Sequence, residues 1–187
     1  MCQETFENYI RTDRLLLRRI SLSDASDMFE YTSNPVVCKY LEWDAHTNKG
    51  QVLSFINQVI DEYENDNTTF LWGIELLNEK KLIGVLRIFD LSIRNHRGEI
   101  SYILNPEYHG KGYMVESLKA LFSHYFSKTD IIRVQAKCVA DHKASEKVMI
   151  NSGMLYEGLL KNYFIIENNS VDAVLYAITV FQYNSIY

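Results

Sequence analysis

Apolar positions along this chain change their spacing several times, and each change marks a predicted element. Thr12–Ile20 is a β-prone run of leucines and arginines, and Ser21–Asp24 then offers capping side chains for a helix carrying Ala25, Met28 and Phe29. Asn34-Pro35 stops that helix. Between Asn48 and Glu64 the residues Val52, Phe55, Ile56, Val59, Ile60 and Tyr63 recur at the spacing of one helical face, and the run ends in the polar string Asn65–Thr68. The period then changes. Thr69–Leu77 and Lys81–Leu91 flank a short polar turn at Asn78–Lys80, which predicts an antiparallel hairpin, and Ser92–Gly98 is a polar loop. Glu99–Leu104 and Ile131–Cys138 read as strands on either side of a central helix carrying Val115, Leu118, Leu121 and Phe122. Asp141–Ser152 reads as another helix, with Ala144, Val148 and Met149 on its apolar side and Gly153 at its end. Two closing strands follow, Leu155–Ile166 and Val171–Phe181, turned at Asn168–Ser170. The order β-α-α-β-β-β-α-β-α-β-β predicts an α/β (α+β) fold: a mixed sheet with helices on its faces.

Composition narrows the class of partner without naming one. The chain has 187 residues, 47% of them hydrophobic, enough for one continuous core. A formal net charge of −5 argues against a nucleic-acid partner. No apolar run approaches the roughly 18 residues of a membrane span, and no leader pattern is evident, so the expected partner is not a membrane and the expected location is cytoplasmic. Cys2, Cys38 and Cys138 lack ligand spacing, as do the five histidines, so no metal is expected.

The candidate chemistry sits where the strand ending at Asn105-Pro106 turns into the central helix. Gly110 and Gly112 flank Lys111 there; such glycines let the backbone approach a ligand, and the helix that follows presents unpaired N–H groups and the positive end of its dipole. Phosphate fits such a place. The spacing excludes a Walker loop, and a dinucleotide fingerprint would need glycine where Val115 stands. His109-Gly-Lys-Gly-Tyr-Met114 instead resembles the pyrophosphate loop of the GNAT superfamily of N-acetyltransferases, Gln/Arg-x-x-Gly-x-Gly/Ala, with His109, Gly112 and Met114 at its defining positions. The wider stretch Asn105–Leu118 is similar to the Rim-type branch, which acetylates protein N-termini; so are Thr12–Arg19, Asn34–Trp43 and Asp172–Tyr176.

The resemblance implies a single GNAT-type domain over residues 12–181, with a mostly antiparallel sheet of about seven strands and helices on both faces. It implies acetyl-CoA as donor and, as acceptor, a primary amine on a peptide N-terminus or a small molecule, with a homodimer allowed. The loop residues His109, Gly110, Lys111, Gly112, Tyr113 and Met114 would hold the coenzyme, with Ile103 and Leu104 supplying backbone N–H groups to the acetyl oxygen. Asp141–Met154 is similar to the family's next helix, usually Asn-x-x-Ser before Gly-Phe; here Ser145 and Gly153 match, while His142 and Met154 depart. His142 and Ser145 are therefore coenzyme contacts by resemblance, with Ser145 also placed to stabilise the departing sulfur. Cys138 occupies a position where some Rim-type enzymes carry a cysteine near that sulfur. The tyrosine acid of some branches would fall at Met149. Glu99, at the start of the strand that would carry the acetyl group, is the base candidate, because a protonated amine cannot attack. Trp43 and His46 border the expected acceptor groove. The alternative reading is a catalytically weak acetyl-CoA-binding module, motivated by the absent tyrosine and the two histidine departures.

Overall fold

Turn chemistry at Thr12 adds an unpredicted strand ahead of the first predicted one, which itself shortens to Leu15–Arg18. The Leu15 amide donates to the Thr12 hydroxyl at 2.9 Å and the Thr12 amide to the Leu15 carbonyl at 2.9 Å, so Tyr9–Arg11 (β1) folds back on Leu15–Arg18 (β2) as a hairpin. The computed structural model describes residues 9–65 and 68–186; Cys2 and the middle of the polar string at 65–68 lie outside them. Ala25–Thr32 (α1) follows a short 3-10 turn, and Lys49–Asn65 (α3) forms as its periodicity predicts. Asn34-Pro35 ends α1 but also begins a helix. The Asn34 side chain accepts from the Val36 amide and proline occupies the first helical position, where its missing N–H costs nothing, giving the one-turn Pro35–Cys38 (α2).

Phe70–Leu76 (β3) and Lys81–Ser92 (β4) make the predicted hairpin, and Arg97–Leu104 (β5) extends the sheet. Tyr113–Lys128 (α4) crosses over to Arg133–Val139 (β6), and Lys143–Asn151 (α5) leads to Leu155–Ile166 (β7) and Asn169–Thr179 (β8). The closing turn is tighter than predicted, with Glu167 and Asn168 at φ of 49° and 64°, as a two-residue hairpin turn of matching twist requires. The last strand also stops early. Thr179 and Gln182 form a reciprocal pair in which the Gln182 side chain accepts from the Thr179 amide at 2.8 Å, and this cap starts Val180–Ile186 (α6).

The result is eight strands in the order β1-β2-β3-β4-β5-β6-β8-β7, with every neighbouring pair antiparallel except β5 and β6. One face carries α4 and α5, whose Leu118, Leu121, Phe122 and Met149 pack on Trp72, Leu86, Ile100 and Val134. The other carries α1 and α3, with Met28, Tyr31, Val52 and Ile56 on Leu71, Leu82 and Val85. No helix among the described residues is long and apolar enough to cross a membrane.

The parallel pair is incomplete. Registered partners run from Arg97 with Arg133 to Ile100 with Ala136 and stop, although β5 continues to Leu104 and β6 to Val139. Beyond that point the sheet is open between its two middle strands.

Candidate active site

The phosphate-type loop lies at the mouth of this opening. Asn105 is buried and fixes the exit of β5: its amide donates to the Ile83 carbonyl at 2.8 Å and its side chain accepts from the Glu107 amide at 3.1 Å. Gly110 and Gly112 adopt φ of 74° and 81°, which a side chain would strain, and Gly112 caps α4. The first helical bond of α4 runs from the Glu116 amide to the Gly112 carbonyl, so the amides of Tyr113, Met114 and Val115 precede the hydrogen-bond ladder. Three successive donors and the dipole end face the loop, a setting for a diphosphate.

The named loop residues divide by role. The Met114 side chain is core, 4% exposed, so only its backbone is available to a ligand. Lys111 is exposed with its ammonium 4.9 Å from the Tyr108 ring centre. His109 is exposed and folds back on the strand end, its Nε2 2.9 Å from the Leu104 carbonyl oxygen. Tyr113 lies under the Arg14 guanidinium.

Hydrogen-bond alternation corrects one expectation about the opening. The Asn105 amide faces β4, so the amide of Ile103, two residues earlier, faces β4 as well; those of Tyr102 and Leu104 face the gap. Tyr102 and Leu104, not Ile103, are placed to donate to an acyl oxygen in the opening.

Side chains around the gap fall on two faces. On the α4 and α5 side, Ser145 Oγ lies 2.9 Å from the Tyr102 hydroxyl, and the same hydroxyl donates to the Ser145 carbonyl at 3.0 Å. Cys138 adjoins them, and burial, partly offset by a hydrogen bond with Ser145, pushes its thiol up to about 11. Burial likewise raises the Tyr102 phenol well above its ordinary range. Met149, at the position of the expected tyrosine, is fully buried core. On the opposite face Glu99 is 7% exposed, with Oε1 3.0 Å from the Lys137 ammonium and Oε2 accepting from Gln135 at 2.9 Å. Burial pulls the Lys137 pKa down, but hydrogen bonds with Tyr163 and Glu99 outweigh it and leave it raised. Glu99 is thus a paired carboxylate rather than an exposed one.

His142 ends the open stretch as the residue preceding α5. Its ring stacks on Tyr40, with centroids 4.3 Å apart, and burial together with His109 and Lys39 lowers its pKa. Trp43 and His46 also stack, at 5.3 Å, with Trp43 36% exposed. Trp43 lines a cavity of about 200 Å³ with Cys38, Glu42, Asp44, Ile165 and Glu167, between the segment after α2 and the tip of the last hairpin. Three carboxylates and Lys39 line it, so its potential favours a cation. A more apolar cavity, about 350 Å³, lies between the start of β7 and α6, at the opposite end of β6 from the opening. Among the described residues no group of three or more His, Cys, Asp or Glu side chains is disposed to hold a metal ion.

Sequence reasoning missed Arg14, Tyr40, Tyr102 and Lys137. Tyr102 and Lys137 lie within predicted strands, and alternation alone puts them on opposite faces; what it does not give is which partners each face meets. Arg14 is separated from its loop contact by 97 residues, which no local pattern crosses.

Comparison with known proteins gives the same picture. A family model described as an acetyltransferase (GNAT) domain matches residues 14–155. The uncharacterized N-acetyltransferase YoaA of Bacillus subtilis is 30% identical over 169 residues, covering 90% of this chain and 95% of that protein. The [ribosomal protein uS5]-alanine N-acetyltransferase of Escherichia coli is 26% identical, covering 91% of this chain and 90% of its own length. Among solved structures, the microcin C7 self-immunity acetyltransferase MccE, in complex with acetyl-CoA and AMP, superposes with a TM-score of 0.83 at 24% identity, over 90% of this chain and 93% of that one. With its glycine loop set at the mouth of a parted parallel strand pair, and with the family's model spanning most of its length, the chain belongs to the GNAT acetyltransferases.

Proposed function

We propose that this protein transfers the acetyl group of acetyl-CoA to a primary amine by direct attack within a ternary complex. The observation that carries this reading is the parting of β5 from β6 beside the Gly110–Gly112 loop. The loop holds the diphosphate, the pantetheine arm enters between the strands, and the acetyl oxygen meets the amides of Tyr102 and Leu104. These donors are fixed before charge develops on the oxygen, which is where backbone N–H groups contribute most to acyl transfer. The acceptor enters from the acidic cavity beside Trp43. The uS5 relative, named for acting on a ribosomal-protein alanine, supports a protein N-terminus as acceptor, with small cationic amines the other class that this lining suits.

Glu99 accepts the amine's proton. Its oxygens are already occupied by Lys137 and Gln135, and an incoming ammonium is chemically like the Lys137 group that it displaces. On the other face Ser145, oriented by Tyr102, donates to the leaving sulfur, which as a thiol of pKa about 8.5 needs little assistance. Glu99→Gln is expected to lower kcat about a hundredfold, at the lower end of what a general base contributes, and to remove the base-dependent limb from the pH profile. Unchanged turnover with an unchanged profile takes Glu99 out of the mechanism.

The deciding experiment follows free-thiol release from acetyl-CoA across N-terminal peptides, lysine peptides, polyamines and aminoglycosides, with thermal shift on coenzyme addition as the binding control. Thiol release with one acceptor class supports the enzyme; a coenzyme shift without release on any acceptor favours the binding module.

A covalent acetyl-cysteine route is disfavoured by the Cys138 thiol, which at about 11 stays protonated near neutrality, whereas the thiolate is the nucleophile. Cys138→Ala should keep kcat within about threefold of wild type, since it removes a buried packing group and no reacting one. A loss of several orders of magnitude, with an acetylated Cys138 in the mass spectrum of wild-type protein, would establish the covalent route.

A further inference from the structure

We infer that Arg14, on the turn between β1 and β2, is a positioning residue of the coenzyme loop, aiming the Gly112 amide at the diphosphate and masking a carboxylate beside it. The inference rests on the acetyl-CoA reading and deepens it. Arg14 Nη1 donates to the Lys111 carbonyl at 3.0 Å. Because a trans peptide unit points its C=O and N–H in opposite directions, holding the Lys111 carbonyl toward Arg14 turns the Gly112 N–H away, to the far side of that peptide. With Gly112 at φ of 81° on its C-terminal side, this peptide would otherwise be held loosely there, since glycine opposes such rotation less than any other residue. A Cβ built on Gly112 would lie 3.6 Å from Arg14 Nη2, so the guanidinium sits directly against the loop.

The second contribution is electrostatic. Glu116, in the first turn of α4, suits the helix dipole but would repel an anion bound at the same helix end. Arg14 meets that carboxylate twice, with Nε at 2.7 Å and Nη2 at 2.6 Å from Oε2. Thr12 holds the other oxygen, its hydroxyl donating to Oε1 at 2.6 Å. Burial favours the protonated form of Glu116, yet the hydrogen bonds from Thr12 and Arg14 prevail and hold its pKa below the usual value, so the charge to be masked is present at neutral pH. The Arg14 side chain is itself anchored, with its guanidinium carbon 4.5 Å from the Tyr113 ring centre, and the Arg14 carbonyl accepts from the Leu77 amide at 3.0 Å. A single fork therefore reads a carbonyl and a carboxylate together, a geometry lysine cannot reproduce.

The test measures acetyl-CoA affinity by calorimetry, both Michaelis constants and unliganded thermal stability for wild type, Arg14→Met, Arg14→Lys and the double variant Arg14→Met/Glu116→Gln. Arg14→Met should raise Kd and KM for acetyl-CoA about tenfold or more, as loss of charge-assisted hydrogen bonds predicts, with kcat at saturating coenzyme and KM for the amine within about twofold. Arg14→Lys should recover only a minor part of the affinity. The double variant should recover more, because it removes the exposed carboxylate along with its partner. Acetyl-CoA affinity of Arg14→Met within about twofold of wild type overturns the inference, and so does a loss of kcat and thermal stability together with a rise in both KM values, the mark of a merely structural residue. Wild-type protein that fails to bind acetyl-CoA overturns the functional reading itself, a result visible before any variant is compared.

Discussion

Replacing Gly112 with valine should abolish the thermal shift on acetyl-CoA addition and weaken coenzyme binding at least about a hundredfold, equivalent to roughly 2.7 kcal/mol. Two effects combine. Gly112 sits at φ of 81°, a region where a β-branched residue is a steric outlier, so the loop must rearrange to accept valine. The branched methyl groups would also fill space above the loop that a diphosphate needs. Gly112→Ala separates the two: its Cβ would lie 3.6 Å from Arg14, an ordinary contact, so alanine carries mainly the backbone cost and should fall between wild type and valine. If the valine variant binds acetyl-CoA as wild type does, the diphosphate is held elsewhere.

The second large effect concerns stability. A Cβ at Gly84 on β4 would stand 2.4 Å from the Ile103 carbonyl oxygen and 3.1 Å from the Leu104 Cα, both backbone atoms of β5 that cannot swing aside as a side-chain tip would. Gly84→Ala should therefore cost about 3 kcal/mol, the upper part of the range for overpacking. For a chain of this size that lowers Tm by roughly 6 to 12 °C. Because the displaced strand is the one that borders the opening, turnover should fall with stability. Gly158→Ala is the matched control: nothing lies within 4 Å of its added carbon, and its Tm should stay at the wild-type value. Equal melting temperatures for the two variants would show that β5 yields at Ile103 without strain.

These two glycines also mark the limit of what was legible in the sequence. Gly112 announces itself, because a glycine just ahead of an amphipathic run has a local meaning: it caps the helix and opens the loop. Gly84 reads as one residue in a β-prone run, since its need for a bare Cα arises only when β5 is laid beside it. The same division holds elsewhere. The helix Lys49–Asn65 follows its period closely, and the glycine-turn element was placed by residue type alone. The hairpin at Thr12 was missed although both of its hydrogen bonds are local, because only Leu15–Leu17 on one side of the turn carry a strong strand pattern, and Tyr9–Arg11 on the other do not. The cap that starts α6 is present in the sequence as Thr179-x-x-Gln182, but the β-branched residues before it read as a strand running on to Phe181. Glu99 was placed on the right strand, yet its pairing with Lys137 depends on the parallel register of two strands that α4 joins. The inward turn of the Ile103 amide likewise follows from ladder phase, which depends on the partner strand and not on the residue itself.

The arrangement of Glu99 and Ser145 on opposite faces of the parted strands has a consequence for traffic. In the proposed reaction the sheet would act as a bulkhead with a slot between β5 and β6: the amine would lose its proton to Glu99 on one side, and the leaving sulfur would meet the Ser145 hydroxyl on the other. On that reading the acylated product would leave past Trp43 and the spent carrier past Gly112, by separate doorways. An inhibitor that joined the two substrates covalently would fill both doorways at once and lie across the open stretch beyond Ile100 and Ala136.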